Sequence, residues 1–278
     1  MYYEFSFEIA ADLNDYLIAV LNNLDFESMW EEENSLKAYI DLPENNSREI
    51  LAQIHAHQGL EQVKLLAVNL MSDKNWNEEW EANYPPVEVD NAIQILAPFH
   101  KVEKKSPYIL YIEPRMAFGT GHHATTSQML REMLNIPFAQ KKVLDYGCGS
   151  GVLAIMAEKL GARQILAIDI DEWSFLNTQD NIKANDCHHI VPQQGGLESV
   201  ESLQHFDIIL ANINRNVILA SLESLYEMLS PQGILLVSGI LQTDKSKVVQ
   251  YAESIGFALK NETQQENWQM LRFIKIDK

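Results

Sequence analysis

Cysteine is scarce, with only Cys148 and Cys187 among 278 residues. Two thiols cannot build a disulfide framework, so both are expected to be free in a reducing compartment. No apolar run approaches the roughly 18 residues of a bilayer span, so no transmembrane helix is expected. The opening residues MYYEFSFEIAAD have neither a basic n-region nor a small-residue cleavage site, which argues against secretion and for a cytoplasmic protein. Positive charge is in deficit too: 21 Lys and Arg face 39 Asp and Glu, for a net charge of −18. Backbone binding to nucleic acid draws on many Lys and Arg contacts, so no direct nucleic-acid binding is expected and a basic protein partner suits the chain better. Internal repeats and low-complexity tracts are also lacking.

With 46% hydrophobic and 22% charged residues the chain reads as globular, and its length suggests two domains of unequal size. The acidity is concentrated. Residues 1–70 hold 13 acidic and 3 basic residues, a net charge of −10, against −8 for residues 71–278. Tyr3, Phe5, Phe7 and Ile9 alternate as in a strand, and Leu13, Leu17, Val20, Leu21 and Leu24 then follow at helical spacing. Two short segments, 26–33 and 36–42, meet at the turn-prone Asn34-Ser35. Ser47 can cap a helix bearing Ile50, Leu51 and Ile54, and a strand at 63–70 completes β-α-β-β-α-β, the ferredoxin-like order. His55 and His57, two apart on a helix, diverge around its axis and are expected at the surface or an edge. Residues 71–90 form a boundary. There DKNWNEEWEANYPP places Trp76 and Trp80 one helical turn apart, and Pro85-Pro86 ends the linker helix. Packing against a neighbouring domain is the plainer role for these tryptophans.

Residues 91–278 begin with strand-like segments at 92–98 and 108–112, followed by MAFGTGHHATT leading into a helix. From Val143 strands and helices alternate as in a doubly wound, mostly parallel α/β sheet: VLDYG, QILAIDI, FDIILANI and ILLVSGI are strands, with apolar helices between them. A helix over 248–255 and a strand pair, FALKNE and WQMLRFIK, end the chain.

The glycines after the first of these strands do not suit a dinucleotide. That fingerprint, G-x-G-x-x-G, needs a third glycine at Val152, but the chain has Gly147, Gly149 and Gly151. Asp145 would also repel a pyrophosphate, and would favour a ligand bearing positive charge. S-adenosylmethionine carries an ammonium and a sulfonium, and D-x-G-x-G-x-G marks class I methyltransferases. Glycines here let the backbone approach the methionine portion. Asp169, 22 residues after Gly147, can accept from both ribose hydroxyls, although a dehydrogenase would use such an acid equally well. Asn212 closes the strand FDIILANI, where its amide can orient an incoming amine. Amino methyltransferases acting on adenine or cytosine have Asn-Pro-Pro-aromatic at this place; here Asn212, Ile213, Asn214 and Arg215 supply no stacking ring, which disfavours a nucleobase substrate. Thr125 and Thr126, at a helix start, can bind a carboxylate or simply belong to a capped turn.

Together MAFGTGHHATT, DYGCGSG, AIDID and LANIN, behind an acidic N-terminal domain, closely resemble the ribosomal protein L11 methyltransferase (PrmA) family over nearly the whole chain, most specifically residues 116–240. The resemblance implies S-adenosylmethionine contacts at Thr126, Gly147, Asp169 and Asn212, with Asp145, Gly149 and Thr125 beside them. It implies methylation of lysine and N-terminal amines of the ribosomal protein, gripped by the ferredoxin-like domain while the linker lets the catalytic domain reach several amines. Ala124 and Asn214 depart from the residues relatives often have. A methyltransferase of another protein, a small amine or RNA, a nicotinamide-dependent dehydrogenase and a non-catalytic binding module are the competing readings. His122-His123 and Cys187-His188-His189 lack the spacing of metal ligands, so no metal is expected, and the two adjacent histidines are expected beside the cofactor loop.

Overall fold

The structure is a computed structural model that describes residues 1–8, 13–32, 35–44, 46–71, 81, 83–115, 119, 121–201 and 205–276. It divides into two compact units, Met1–Asn83 and Tyr84–Lys278. The expected linker helix with Trp76 and Trp80 lies outside the described residues, as do Asn34 and four residues of MAFGTGHHATT.

The first unit runs β1 (Tyr2–Glu8), α1 (Asn14–Asn23), β2 (Ser28–Glu32), β3 (Ser35–Asp41), α2 (Ser47–His55) and β4 (Lys64–Met71). Its sheet order β2-β3-β1-β4, with every neighbouring pair antiparallel, is the ferredoxin-like arrangement. Strand alternation puts Tyr3, Phe5, Phe7, Leu36, Ala38 and Ile40 on one face, where Leu17 and Leu21 of α1 and Ile54 of α2 bury them. Each large side chain so buried contributes about 1.5–3 kcal/mol, which gives this acidic unit a core of its own. Two local expectations shift. Ser47 is the first residue of α2 and not its cap, and His55 is half-buried, its Nε2 2.8 Å from the Val63 carbonyl, tying the helix end to the approach to β4.

The second unit opens with β5 (Val87–Val89), β6 (Ile93–Leu96) and β7 (Tyr108–Tyr111), a three-stranded sheet in that order. After α3 (Ala124–Met133) come β8 (Lys142–Tyr146), α4 (Val152–Lys159), β9 (Gln164–Asp169), α5 (Glu172–Ala184), β10 (Ile190–Gln194), β11 (Phe206–Asn212), α6 (Arg215–Met228), β12 (Leu229–Leu241), α7 (Lys245–Ile255), β13 (Phe257–Gln265) and β14 (Trp268–Lys275). The seven-stranded sheet is ordered β10-β9-β8-β11-β12-β14-β13; β10, β9, β8, β11 and β12 are mutually parallel, and β14 pairs antiparallel with both β12 and β13. It is a doubly wound α/β sheet whose order reverses between β8 and β11. A crevice opens at such a reversal, outside the carboxyl ends of the strands.

Periodicity alone overlooks β5 and β10. The first is three residues long and follows two prolines. The second holds Pro192, tolerated because β10 is an edge strand with no neighbour on one side. No helix among the described residues is long and apolar enough to cross a membrane.

Candidate active site

The loop after β8 folds back on β9: the amides of Gly147 and Cys148 both donate to the Ile168 carbonyl, at 2.9 and 3.0 Å. Gly147 has φ +73°, and a Cβ on it would stand 2.3 Å from Cγ2 of Ile213, so only glycine lets the two segments meet here. Gly151, at φ +77°, is the N-cap of α4. The helix therefore starts at Val152, which turns into the core as its first residue.

Gly151 offers the helix no capping side chain, and Asp145 supplies that acceptor from behind. Its Oδ2 receives the Ala154 amide at 3.0 Å, while Oδ1 has no hydrogen-bond partner. Expected from the sequence beside the cofactor, Asp145 is instead fully buried and absent from the cavity wall, because the first turn of α4 claims its carboxylate. Burial pushes its pKa up to about 7, opposed by the Ala154 amide and reinforced by the charge of Asp169. The sign of the stability effect follows. The unfolded chain ionises this group near its ordinary 3.8 and the folded one only near 7, so Asp145 increasingly disfavours the fold as pH rises between those values. Asp145→Asn removes that titration. Denaturant unfolding of both proteins should show the stability difference moving in the variant's favour from about pH 4 to about pH 7 and level above it; a pH-independent difference would refute the assignment. Cys148, buried beside it, has a thiol held well above its usual range by desolvation, so it is an inert packing residue.

Asp169, half-buried at the end of β9, does face the crevice. Its Oδ2 accepts from the Gly149 amide at 2.9 Å and its Oδ1 from the Asp171 amide at 3.0 Å. Each oxygen keeps a further lone pair. At the opposite end, Asn212 leaves β11 and its Nδ2 donates to Thr126 Oγ1 at 3.2 Å. That bond uses one of the amide's two N–H donors and leaves Oδ1 as the acceptor. Thr126 and Thr125 lie in the first turn of α3, where His123 caps the helix. The Thr125 amide donates to His123 Nδ1 at 3.3 Å, with the Thr125 hydroxyl 2.8 Å from the same nitrogen. Because Nδ1 accepts, a neutral His123 carries its proton on Nε2. His122 turns elsewhere, its Nε2 2.9 Å from the Pro85 carbonyl.

These groups enclose a cavity of about 770 Å³ whose wall includes Gly147, Gly149, Thr125, Thr126, Asp169 and Asn212. The size suits a nucleoside-bearing ligand. Most of the apolar wall is not legible along the chain. Trp268 reaches it from the start of β14 and sets its ring edge-on to His123 at 4.9 Å, while Tyr146, Ile213 and Gly239 complete that side. The ring absent from residues 212–215 is thus supplied by the C-terminal hairpin. Asn214, noted as a departure, caps α6 by accepting the amides of Asn216 and Val217, each at 3.1 Å. A larger cleft, about 1190 Å³, occurs in the first unit, but its one histidine, His55, is already tied to a backbone carbonyl.

The site fits S-adenosylmethionine on its own terms: glycines at 147 and 149 in its wall, a carboxylate with spare lone pairs for a ribose, and no Lys or Arg among the described lining residues for a pyrophosphate. Known proteins agree with that chemistry. The profile of a family described as ribosomal protein L11 methyltransferase (PrmA) matches residues 10–275. A ribosomal protein L11 methyltransferase of Porphyromonas gingivalis is 38% identical over 271 residues, 97% of this chain and 92% of that protein. One from Bacteroides thetaiotaomicron is 37% identical, covering 98% of this chain and 99% of its own. Among solved structures, a ribosomal protein L11 methylase from Lactobacillus delbrueckii subsp. bulgaricus superposes with a TM-score of 0.65 at 27% identity, over 70% of this chain and all of that one.

Proposed function

The chain belongs to the ribosomal protein L11 methyltransferase (PrmA) family, and from that premise we propose that the crevice between β8 and β11 binds S-adenosylmethionine and that amino groups of ribosomal protein L11 are methylated there. When bound, the cofactor supplies an electrophilic methyl group on a sulfonium. Asp169 would hold the ribose hydroxyls, the Gly147–Gly151 loop the methionine backbone, and the start of α3, with Thr125 and Thr126, its carboxylate.

One observation carries the reading: Asn212, on the cavity wall at the end of β11, across β8 from Asp169, is pinned to Thr126 at 3.2 Å, which keeps its Oδ1 as an acceptor. An acceptor there takes an N–H of the incoming amine and turns the nitrogen lone pair toward the methyl group. The amine must first be neutral. A lysine, with a reference pKa of about 10.4, is mostly protonated at neutral pH, and an α-amine near 7.8 much less so. The wall formed by Trp268, Tyr146 and Ile213 excludes water and disfavours the ammonium, which eases loss of the proton to solvent without a dedicated base. We further propose that the first unit recognises the basic ribosomal protein, in keeping with the net charge of −10 over residues 1–70, and that the enzyme works in the cytoplasm.

Intact-mass spectrometry of purified ribosomal protein L11, incubated with this protein and S-adenosylmethionine, should show cofactor-dependent additions of whole methyl groups. Fragment masses will place them on lysines or the N-terminal amine. An unmodified L11, with cofactor binding confirmed by calorimetry, would remove the substrate assignment and leave the methyltransferase. A chain starting at Tyr84 should bind cofactor but lose transfer to L11; transfer at the full rate would refute recognition by the first unit.

A further inference from the structure

Gln128 is 1% exposed, in the stretch of α3 that also buries Met129, Leu130 and Met133. A buried amide is costly unless its polar atoms are bonded, and Gln128 bonds both of its own to the C-terminal hairpin. Its Oε1 accepts from the Thr263 hydroxyl of β13 at 3.0 Å, and its Nε2 donates to the backbone carbonyl of Trp268 at 3.3 Å. A methionine of similar size would fill the space without either bond. What the amide adds is a fixed position for Trp268.

Helix α3 thus holds Trp268 at two points. His123, the cap of the helix, meets the indole edge-on at 4.9 Å, and Gln128 takes the carbonyl of the same residue. The strand order puts this ring on the Asn212 side of the cavity: β14 lies next to β12 and β12 next to β11, whereas β9 with Asp169 lies beyond β8. The same helix tethers Asn212 through Thr126, two residues before Gln128. One element therefore sets where the amine acceptor and the ring stand relative to each other. Gln128 is absent from the cavity wall, so any effect on the reaction passes through Trp268.

We propose that Gln128 is a positioning residue for methyl transfer: by fixing the Trp268 backbone it keeps the indole closed over the amine end of the cavity and water away from the nitrogen to be methylated. This role rests on the function proposed above, and it assigns to a residue outside the cavity the dryness on which a neutral amine depends. A loosened ring admits water, the ammonium regains its solvation, and a lysine loses its proton less readily. The deficit must depend on pH. Below the pKa of the bound amine the rate follows the neutral fraction, and above it the ammonium no longer competes.

The test is the single-turnover rate of lysine methylation in L11 by the full-length enzyme, read from fragment masses between about pH 6.5 and about pH 10.5. Gln128→Met keeps the volume and removes both hydrogen bonds. Near neutral pH its rate should fall about tenfold, with the profile displaced upward by about one pH unit, so that the two proteins converge at the alkaline end. Cofactor affinity should stay within about twofold in calorimetry. Trp268→Ala should displace the profile at least as far, and Gln128→Met added to it should displace it no further, since the first acts through the second. Asn261→Ala is the structural control. It cuts another bond between hairpin and helix, Asn261 Nδ2 to Glu132 Oε2 at 2.8 Å, and should lower the melting temperature without moving the profile. If Gln128→Met fails to fold, Thr263→Val decides: it removes only the bond that orients the Gln128 amide, so a smaller upward displacement supports the role and none overturns it. An equal deficit at every pH, an equal displacement by Asn261→Ala, or additive displacements in the double variant would each overturn it. A Gln128→Met enzyme indistinguishable from wild type overturns it as well and leaves the proposed function standing, whereas wild-type enzyme that leaves L11 unmodified defeats both together.

Discussion

Asp169→Ala is expected to weaken S-adenosylmethionine binding about a hundredfold in isothermal calorimetry. The Gly149 and Asp171 amides occupy one site on each carboxylate oxygen, leaving one site apiece for the two ribose hydroxyls. Hydrogen bonds to a charged group contribute about 1.5–3 kcal/mol each, so two of them account for roughly 3 kcal/mol or more, which is about two powers of ten. Alanine also leaves the Gly149 amide without its acceptor and loosens the loop that follows Gly147. Asp169→Asn separates these contributions. The amide keeps one acceptor oxygen but not both, so its affinity should fall between wild type and alanine. Alanine-variant affinity equal to wild type would show that the ribose does not lie at the end of β9.

Asn212→Ala is expected to lower kcat for methylation of L11 by about two orders of magnitude while changing cofactor affinity only a few-fold. The estimate comes from positioning: misplacing a reacting nitrogen by about an ångström costs on the order of a hundredfold in rate. Because the acceptor acts on the oriented amine as it attacks, kcat and kcat/KM should fall together. Loss of the Nδ2 bond to Thr126 adds a second effect, since the hydroxyl is buried and must find another partner. Thr126→Val is therefore the informative companion: Asn212 keeps its oxygen but loses its tether, and the rate should fall less than in Asn212→Ala. A variant in which only KM for L11 rises would move Asn212 from the reaction to the binding surface.

Much of the site could be read along the chain, for a physical reason that is the same in each case. Gly147, Gly149, Asp169 and Asn212 sit at the ends of parallel strands, and a parallel sheet brings successive strand ends to one edge whatever else surrounds them. The residues that escaped share the opposite property. Trp268 enters from an antiparallel hairpin more than fifty residues beyond Asn212, and no periodicity connects the two. β10 carries a proline and two glutamines, a pattern acceptable only because it lies at the edge of the sheet. Asp145 shows what the motif leaves open: its carboxylate accepts the Ala154 amide at the start of α4, a partner that periodicity does not name.

Local chemistry thus decided the ferredoxin-like order of the first unit, the doubly wound order of the second and the glycine-lined turn after β8. These follow from side-chain periods, backbone conformations near glycine and charge, all of which act over a few residues. Which carboxylate faces the ligand and which caps a helix, and which ring closes the wall, was settled only when the strands assembled. Those outcomes depend on burial and on hydrogen-bond partners distant in sequence, such as Thr126 for Asn212 and His123 for Trp268, and the chain acquires them only by folding.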